Sequence, residues 1–371
     1  MYDLQEFLEP VNPATFNHDK GYNDGQLANF IACYENELPD LEEADIVLVG
    51  INGNEAMTET DAANCIRAQF YQLHYWHTDV QIADIGNIKS GATLTDTYAA
   101  VKTVLAELLK MNKTVVLLGG SHDITLAQYY AYKEMRQIIE ATVIDATIDL
   151  RSESSVRSEN FLMEMLTGEP NFVKHYNHIG FQSYFVHPRM LETMDKLRFD
   201  CYRAGMAKES MEEMEPVIRN TNLLSIDISA VKSSDAPANS CSPNGFTGEE
   251  ACMLTRFAGM STALSSMGIY GFNPENDVND QTAKQIAQML WYFVDGKSRS
   301  KQEALPEEKH HFNEFHTAFT VVDTTFLQSK KTGRWWMRLP DKNLIACSYK
   351  DYVNASNNEI PERWLRAQER G

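Results

Sequence analysis

The sequence has no CxxC pair among its six cysteines and no uncharged apolar run of about 18 residues. Scattered cysteines of this kind are typical of proteins whose thiols stay reduced in the cytosol. The first ten residues carry three acids, no base and no long apolar run, so a signal peptide is not expected. We therefore expect a cytoplasmic protein with neither a disulfide framework nor a membrane span.

Basic residues are also scarce, because 33 lysines and arginines face 52 acidic residues and the formal net charge is −19. Such a surface repels nucleic-acid phosphates and anionic lipids, so we expect no nucleic-acid partner and no membrane partner. The hydrophobic residues make up 43% of the chain, which is enough for a well-buried core. One large α/β domain or two smaller domains would fit this length.

Short apolar runs alternate with segments of helical periodicity along most of the chain. This alternation predicts an α/β protein whose mostly parallel sheet is covered by helices on both faces. The predicted strands are 44–51, 80–85, 114–118, 141–148, 175–181, 199–202, 222–228 and 267–272. The predicted helices are 61–74, 95–111 with Thr95 as N-cap, 123–137, 158–166, 189–196, 208–219, 247–260 and 280–294.

The C-terminal part has a different pattern from the rest of the chain. Residues 296–309 are charged and predict an exposed loop. Two strands, 317–327 and 334–339, flank a KKTG turn and predict an antiparallel hairpin that packs on the same domain. We therefore divide the chain into an N-terminal extension (1–43), an α/β domain (44–296) and a C-terminal loop and hairpin extension (297–371).

Three predicted strands end in acidic residues or histidine, in the segments GGSHD (119–123), DATID (145–149) and SIDIS (225–229). Ligands of an open parallel sheet bind beyond the carboxyl ends of its strands, so these segments are expected to meet. Asp145, Thr147 and Asp149 would project to one side of an extended chain. Several carboxylates in one crevice must protonate or bind a cation, and an imidazole beside them suits Mn²⁺ or Mg²⁺.

These three segments resemble the signature motifs of the arginase (ureohydrolase) superfamily, which includes arginase, agmatinase and formimidoylglutamase. The family pattern is GGDHS, DAHxD and SxDxDxxDP, and this chain has GGSHD, DATID and SIDISAVKSSDAP. The flanking segments are similar as well, in order from about residue 45 to 296: 51–67 resembles the early glycine-rich stretch and helix, 84–87 resembles DxGD, 178–180 is HIG, and 272–274 resembles the end of EVNP. The resemblance implies a three-layer αβα fold with a mostly parallel eight-stranded sheet.

The resemblance also implies a reduced metal centre. The family holds two Mn²⁺ with two histidines and four aspartates, and the ligands of one ion match His122, Asp145, Asp149 and Asp227. The private histidine and aspartate of the other ion are replaced by Thr147 and Ser229. Three aspartates leave a charge of −1 with one divalent ion and +1 with two. We therefore expect at most one Mn²⁺, with Mg²⁺ or no metal as the alternatives.

Other family positions differ too. Gly271 stands where arginases have a glutamate that contacts the cationic substrate head, and Leu162 stands at the spacing of their proton-shuttle histidine. Ser158 and Asn160 match the spacing of an SxN substrate-binding element, although serine and asparagine are also common helix caps. No residue stands out as a proton carrier, so no catalytic residue is assigned.

Two further groups could bind ligands. His310, His311 and His316 lie in a charged stretch and could bind a metal in pairs, but a solvated surface is favoured. Trp335 and Trp336 could stack on a ligand or cover a partner surface, but packing against the core is favoured.

Two functions remain open at this point. The first is a metal-dependent hydrolase of C–N bonds in linear amidines or guanidines, most similar to formimidoylglutamase, that acts on a small cationic amidine or guanidino molecule. The second is a non-catalytic descendant, a pseudoenzyme that serves as a binding or assembly module. The trimers and hexamers common in the family also imply a homo-oligomer.

Overall fold

A computed structural model describes residues 3–16, 21–51, 61–239, 241–305, 308–319 and 322–370. Within these residues the central sheet has ten strands. They are β1 Leu8–Glu9, β2 Ala32–Cys33, β3 Ile46–Ile51, β4 Ile82–Ile88, β5 Thr114–Leu118, β6 Ile139–Ile144, β7 Val173–Phe181, β8 Asp200–Arg203, β9 Leu223–Asp227 and β10 Ser266–Tyr270.

The eight longer strands, β3 to β10, are parallel, and the order across the sheet is β4-β3-β5-β10-β9-β6-β7-β8. The short strands β1 and β2 both pair with β4 at one edge, β1 antiparallel and β2 parallel. Every residue of β3, β4 and β5 is buried. A parallel strand is covered by helices on both faces, which explains why these strands read as continuous apolar runs.

The helices form the two outer layers of the predicted αβα sandwich. One face packs mainly against α1, α8 and α9 and the other mainly against α2, α3 and α4. The helices are α1 Ala62–Phe70, α2 Leu94–Lys110, α3 Ile124–Glu134, α4 Phe161–Thr167, α5 Pro188–Lys196, α6 Ala204–Glu209, α7 Met214–Ile218, α8 Gly248–Met260, α9 Gln281–Ser300, α10 Tyr349–Ser356 and α11 Glu362–Arg370. None of these helices is long and apolar enough to cross a membrane.

Several predicted element ends were wrong. The N-cap of α2 is Thr93 rather than Thr95, because Thr93 and Asp96 form a capping box. The predicted helix 208–219 is interrupted at Ser210, whose backbone is not helical, so it divides between α6, a short 3₁₀ turn and α7. The predicted loop 296–309 is helical as far as Ser300, because α9 continues with Gly296, Ser298 and Ser300 buried.

The C-terminal extension is larger than the predicted hairpin. It forms a separate antiparallel sheet of four strands in the order β11-β12-β13-β14. The strands are β11 Phe312–Phe319, β12 Val322–Ser329, β13 Trp335–Arg338 and β14 Leu344–Cys347. The predicted strand 317–327 is therefore two strands, and the predicted hairpin at KKTG is β12 with β13. Helices α10 and α11 follow this sheet.

Buried charges join the C-terminal sheet to the αβα sandwich. Arg219, which follows α7 just before β9, donates to the Trp335 carbonyl at 2.5 Å, and its guanidinium lies 4.6 Å from the Trp336 ring centre. Arg334 donates to Glu303 at 2.7 Å and to the Met260 carbonyl at 3.0 Å, just before β10. The C-terminal sheet therefore docks where β9 and β10 begin.

The early motifs of the sequence meet at a buried ion pair. Arg67 of α1 donates to both carboxylate oxygens of Asp84, at 2.7 and 2.9 Å, and to the Gly86 carbonyl at 2.9 Å. It also donates to Asn87. Residues 52–60 of the predicted glycine-rich stretch lie outside the described residues. The resemblance at 84–87 thus corresponds to a structural contact that fixes α1 on β4.

Candidate metal centre

The candidate site lies at the carboxyl ends of the central strands, as the order of the sheet dictates. His122 follows β5 after two glycines with positive φ, Gly119 and Gly120, which turn the chain sharply before α3. Asp145 follows the last residue of β6, and Asp227 is the last residue of β9. Strands β6 and β9 are neighbours, while β10 separates β9 from β5. The fold therefore brings three distant segments to one crevice.

The structure brings His122, Asp145 and Asp149 into one cluster, and Asp227 lies beside His122 at its edge. The Nδ1 atom of His122 lies 2.9 Å from Oδ2 of Asp149, 3.4 Å from Oδ2 of Asp145 and 3.8 Å from Oδ2 of Asp227. His122, Asp145 and Asp149 offer ligand atoms that all lie within 4.8 Å of one another. The Asp227 side chain is 15% exposed, so it stands at the open side of an otherwise buried cluster.

The segment that carries Asp145 and Asp149 is a turn rather than the predicted strand 141–148. The Asp145 carboxylate accepts a hydrogen bond from the backbone N–H of Thr147 at 3.2 Å, which bends the chain directly after β6. The turn still places Thr147 between the two acids. The predicted convergence on one side of the chain is therefore observed, but a side-chain-stabilised turn produces it.

The orientation of His122 is set by a serine to which the sequence assigned no role. Ser225 stands two residues before Asp227 on β9, so both side chains face the same side of the sheet. Its hydroxyl lies 3.0 Å from Nε2 of His122 and 2.6 Å from the Thr125 hydroxyl. The Phe161 ring packs edge-on against the imidazole with centroids 4.9 Å apart. These contacts point Nδ1 toward the three carboxylates.

Crowding of the acids shifts their protonation. Burial and then the charge of Asp145 raise the pKa of Asp149 to about 7. Burial and then Asp145 also raise the pKa of Asp227. Burial opposes ionisation of Asp145 as well, but the hydrogen bond from His122 outweighs it and lowers the pKa of that carboxyl. Burial disfavours the charged imidazole of His122, yet Asp145 and Asp149 raise its pKa well above the usual value.

The donor set fits one divalent cation. Oδ2 of Asp149 is buried and has no hydrogen-bond partner among the described residues, although it lies only 2.9 Å from His122 Nδ1. A buried carboxylate oxygen without a partner is costly, and a cation would compensate it. One imidazole and three carboxylates form an oxygen-rich shell that suits Mn²⁺ or Mg²⁺.

Thr147 and Ser229 contact the same carboxylates as hydrogen-bond donors. The Thr147 hydroxyl lies 3.0 Å from Asp145 Oδ2 and 3.1 Å from Asp149 Oδ1. The Ser229 hydroxyl donates to the other oxygen of Asp145, and the Ser229 backbone N–H donates to Asp227 at 2.8 Å. Both residues therefore stabilise the carboxylates by donating hydrogen bonds to them.

Gly271 lies directly against Asp227. Its φ is +76°, and a Cβ built on it would stand 2.5 Å from Oδ2 and 3.0 Å from Cγ of Asp227. A glutamate at this position is incompatible with the observed place of the Asp227 carboxylate. The replacement of the family's glutamate by Gly271 is therefore linked to the position of the Asp227 carboxylate, a candidate ligand.

The remaining family positions lie around the cluster without joining it. Leu162 is fully buried in the hydrophobic core that includes α4. Ser158 lies in a short 3₁₀ turn before α4. The amide nitrogen of Asn160 donates to the Ser154 carbonyl at 2.6 Å, while its buried Oδ1 has no hydrogen-bond partner among the described residues.

Two more residues next to the site were not assigned from the sequence. His178 of the HIG segment lies with Nε2 3.2 Å from the Asp145 carbonyl, and burial lowers its pKa to about 4, so it is neutral. Cys241 is an exposed residue near the cluster. Partial burial of its thiol is the main cause that raises its pKa to about 11, and the charges of Asp145 and Asp227 add to the increase. The HIG motif was the available signal for His178; no sequence signal placed Cys241 here.

The other candidate ligands pack elsewhere. A metal ion could be held by three or more His, Cys, Asp or Glu side chains that lie close together. Among the described residues the only such group is His122, Asp145 and Asp149. The rings of His310 and His311 contact each other in a tilted arrangement with centroids 3.9 Å apart, and His316 contacts the Thr325 hydroxyl at 3.2 Å. Trp335 and Trp336 are buried against Tyr352 and Arg219 respectively, in agreement with the packing role that was favoured. All six cysteines are free thiols.

Comparison with known proteins agrees with this fold. The formimidoylglutamase of Staphylococcus haemolyticus is 25% identical over 243 residues, which cover 62% of this chain and 76% of the relative. That of Staphylococcus carnosus is 26% identical over 231 residues, covering 58% of this chain and 73% of the relative.

Solved structures show the same fold. A formiminoglutamase of Trypanosoma cruzi with Mn²⁺ superposes with a TM-score of 0.66 at 18% identity, over 74% of this chain and 99% of that chain. The formimidoylglutamase of Bacillus subtilis superposes with a TM-score of 0.65 at 16% identity, over 76% and 95% of the two chains. The model of the arginase family matches residues 19–295, well over half of the sequence. The chain is thus a member of the arginase family.

Proposed function

We propose that this protein is a hydrolase of C–N bonds in linear amidines, similar to formimidoylglutamases, and that it works with one divalent cation. The observation that carries the proposal is the convergence of His122 on three carboxylates, with a buried oxygen of Asp149 that has no hydrogen-bond partner among the described residues. Relatives and structural neighbours named formimidoylglutamase or formiminoglutamase support the choice of reaction, and the Mn²⁺ in one of them supports the choice of ion.

His122, Asp145, Asp149 and Asp227 would hold the ion, Mn²⁺ or alternatively Mg²⁺. When bound, such an ion acts as a Lewis acid that lowers the pKa of water. The surrounding side chains keep these four residues in position. Ser225 fixes the imidazole through Nε2, and the Thr147 and Ser229 hydroxyls fix the Asp145 carboxylate.

A single ion suits the charges and hydrogen bonds of the site. Three aspartates and one divalent cation leave one negative charge, which would favour a small cationic amidine or guanidino substrate. Thr147 and Ser229 both donate their hydroxyl protons to Asp145, one of the two carboxylates that a second ion would share. Gly271 offers no carboxylate to a guanidinium head, which argues against arginine itself.

A non-catalytic binding or assembly role is the second candidate. It is favoured by Leu162, which is locked in the hydrophobic core where a proton carrier would be needed. The four-stranded C-terminal sheet adds a surface beyond the family match at residues 19–295. We propose residues 44–296 as the unit that carries the site, with 1–43 and 297–371 as extensions packed on it.

Metal analysis and a turnover assay on the purified full chain test the proposal. We expect one Mn²⁺ per chain and release of ammonia, urea or formamide from at least one member of a panel of formimino and guanidino compounds. Asp227→Asn should abolish both metal retention and turnover, because the cluster loses one of its charges. The matched control is Asp323→Asn in β12, which should change neither. Metal-free wild-type protein without turnover would instead support the non-catalytic role.

Restoring the two replaced ligands tests the single-ion stoichiometry. The double variant Thr147→His with Ser229→Asp should raise the metal content from one ion per chain to two. The control is Thr147→Val with Ser229→Ala, which removes the same hydroxyl donors without adding ligands and should leave at most one ion. A double variant that gains no ion would show that the pocket differs from a two-metal site beyond these two residues.

A further inference from the structure

Strand β11 is an edge strand with one side open. It pairs with β12 over its whole length, from Phe312 opposite Ser329 to Phe319 opposite Val322, without a register shift. No other strand of the described chain pairs with it, since β11 ends the order β11-β12-β13-β14. An unpaired edge is a template on which another strand can add.

The backbone groups that face outward can be identified. The Lys330 N–H donates to the His311 carbonyl at 2.8 Å, so this pair belongs to the hydrogen-bonded set of the β11–β12 ladder. Hydrogen-bonded and non-hydrogen-bonded pairs alternate in an antiparallel ladder. The N–H and C=O groups of Glu314, His316 and Ala318 therefore point away from β12.

This edge has few of the features that usually protect edge strands. The eight residues FNEFHTAF contain no lysine and no proline, the strand has no bulge, and Glu314 is its one carboxylate. Glu314, His316 and Ala318 are all exposed. The other edge of the sheet, β14, has only four residues and leads directly into α10. The feature is thus specific to β11.

The side-chain pattern of the strand is self-complementary. In an antiparallel pair of two β11 strands centred on Phe315, Glu314 of each copy stands opposite His316 of the other. These are the residues whose backbone groups point outward, so the same register pairs the backbone groups and places each carboxylate beside an imidazole that can donate a hydrogen bond to it. The two Phe315 rings face each other across the axis and extend the aromatic contacts that Phe315 makes with Trp335 and Tyr352.

We propose that a second copy of this chain occupies this edge. The two β11 strands pair about a two-fold axis at Phe315, and the two four-stranded sheets become one sheet of eight strands. An isologous contact of this kind closes on itself and gives a dimer. Strand β11 lies beyond residues 19–295, the part matched by the family model, so the contact belongs to the C-terminal extension of this chain.

A proline substitution separates the edge contact from the fold of the monomer. Sedimentation or light scattering of the full-length wild type should show an assembly of twice the mass of that formed by His316→Pro. His316→Pro removes an N–H that faces outward and makes no backbone bond to β12. It also loses the exposed side-chain contact with Thr325, so the variant should keep its fold and its metal content while the β11 pairing is lost. A wild-type protein that is monomeric at every concentration tested, or a dimer that survives His316→Pro, overturns the proposal.

A charge swap tests the register and does not depend on proline. His316→Glu places glutamate opposite glutamate and should raise the dimer dissociation constant about tenfold, since two like-charged pairs form across the axis. The double variant Glu314→His with His316→Glu restores opposite partners in the same register and should recover wild-type dimerisation. Failure of the swap to recover the dimer would overturn the proposed register. Binding of an unrelated strand to a wild type that never dimerises would overturn self-association.

Discussion

At the scale of single residues, the candidate site depends on how closely Gly271 approaches Asp227. A Cβ on residue 271 would stand only 2.5 Å from Oδ2 of Asp227, too close for both to keep their positions. Only glycine combines the observed φ of +76° with the absence of a side chain at that point. The glycine therefore fixes the place of Asp227, which Ser229 supports from the other side through its backbone N–H.

Gly271→Ala should weaken Mn²⁺ binding about tenfold or more, because the added Cβ displaces a carboxylate of the cluster. The matched control is Gly333→Ala: Gly333 has the same φ of +76°, but nothing lies within 4 Å of its added Cβ. Both variants carry the backbone strain of about 1 kcal/mol, and only the first reaches the site. Calorimetric titration with Mn²⁺ measures the difference. Equal binding by the two variants would contradict this role of Gly271.

The proximity of the candidate ligand residues was predictable from sequence, whereas the residues that support them were not. Carboxyl ends of parallel strands must meet, so His122 and the acids were expected in one crevice. Ser225 was visible two residues before Asp227, but a serine in a buried strand has many uses. Its contact with His122 Nε2 depends on β5 and β9 lying on either side of β10, an order that the sequence does not specify.

At the scale of helices and strands, apolar runs located all eight long strands, while helix ends were less accurate. The capping box of Thr93 and Asp96 was readable as T-x-x-D, yet Thr95 was chosen as N-cap. A similar capping box, formed by Ser348 and Asp351, marks the start of α10, and this helix was not predicted. The break near Ser210 also had a signal, because Pro216 cannot lie in the interior of a helix 208–219 but fits the first turn of α7.

The last helix, α11, is attached by arginines to an aspartate of β8. Asp200 accepts from Arg366 at 2.7 Å and from Arg370, and His175 lies 3.2 Å away. Burial alone would raise the pKa of Asp200, but the hydrogen bond from His175 and the charge of Arg370 outweigh it and lower the pKa from 3.8 to about 2. Since the folded-state pKa is depressed, this stabilisation is present above about pH 4 and is lost as the pH falls toward 2.

Acid should therefore release α11 from β8. The expected loss is about 2 kcal/mol, between pH 4 and pH 2, because Asp200 must bind a proton that it does not hold when paired. Hydrogen exchange of residues 362–370 across this pH range measures the release. Asp200→Asn should produce the same release at neutral pH, and Asp195→Asn on the exposed side of α5 should not. Unchanged protection in Asp200→Asn would rule out this attachment.

At the scale of the whole molecule, the αβα sandwich followed from the sequence but the C-terminal sheet did not. Parallel strands buried on both faces give strong apolar runs, whereas β11 alternates exposed and half-buried residues and resembles a loop. The division of the region 317–327 into two strands is seen in the pairing of β11 with β12. This pairing leaves no composition signal as clear as the KKTG turn.

Glu303, which follows α9, attaches the C-terminal sheet to the end of that helix. Its carboxylate accepts from Ser329 and Thr332 at 2.6 Å and from Arg334 at 2.7 Å, and its side chain is only 5% exposed. Burial opposes its charge, but those hydrogen bonds outweigh burial and lower the pKa of Glu303. The C-terminal sheet and the αβα sandwich are therefore expected to unfold in one transition.

Glu303→Ala should lower the free energy of unfolding by about 3 kcal/mol, because the buried Arg334 guanidinium loses its main partner. The control is Glu362→Ala, which breaks a pair with Arg366 whose glutamate side chain is 78% exposed, and should cost less than about 1 kcal/mol. Urea denaturation followed by tryptophan fluorescence measures both. A Glu303 variant as stable as the control would show that the sheets do not depend on this contact.

The C-terminal sheet docks where β9 and β10 begin, whereas the crevice with the candidate metal ligands lies where β5, β6 and β9 end. Anything attached through the far side of the molecule, such as a fused reporter, a resin or a sister subunit, would leave the approach of small molecules unobstructed. Two copies linked in this way would each keep an accessible crevice, because the link would lie at the opposite end of the central strands.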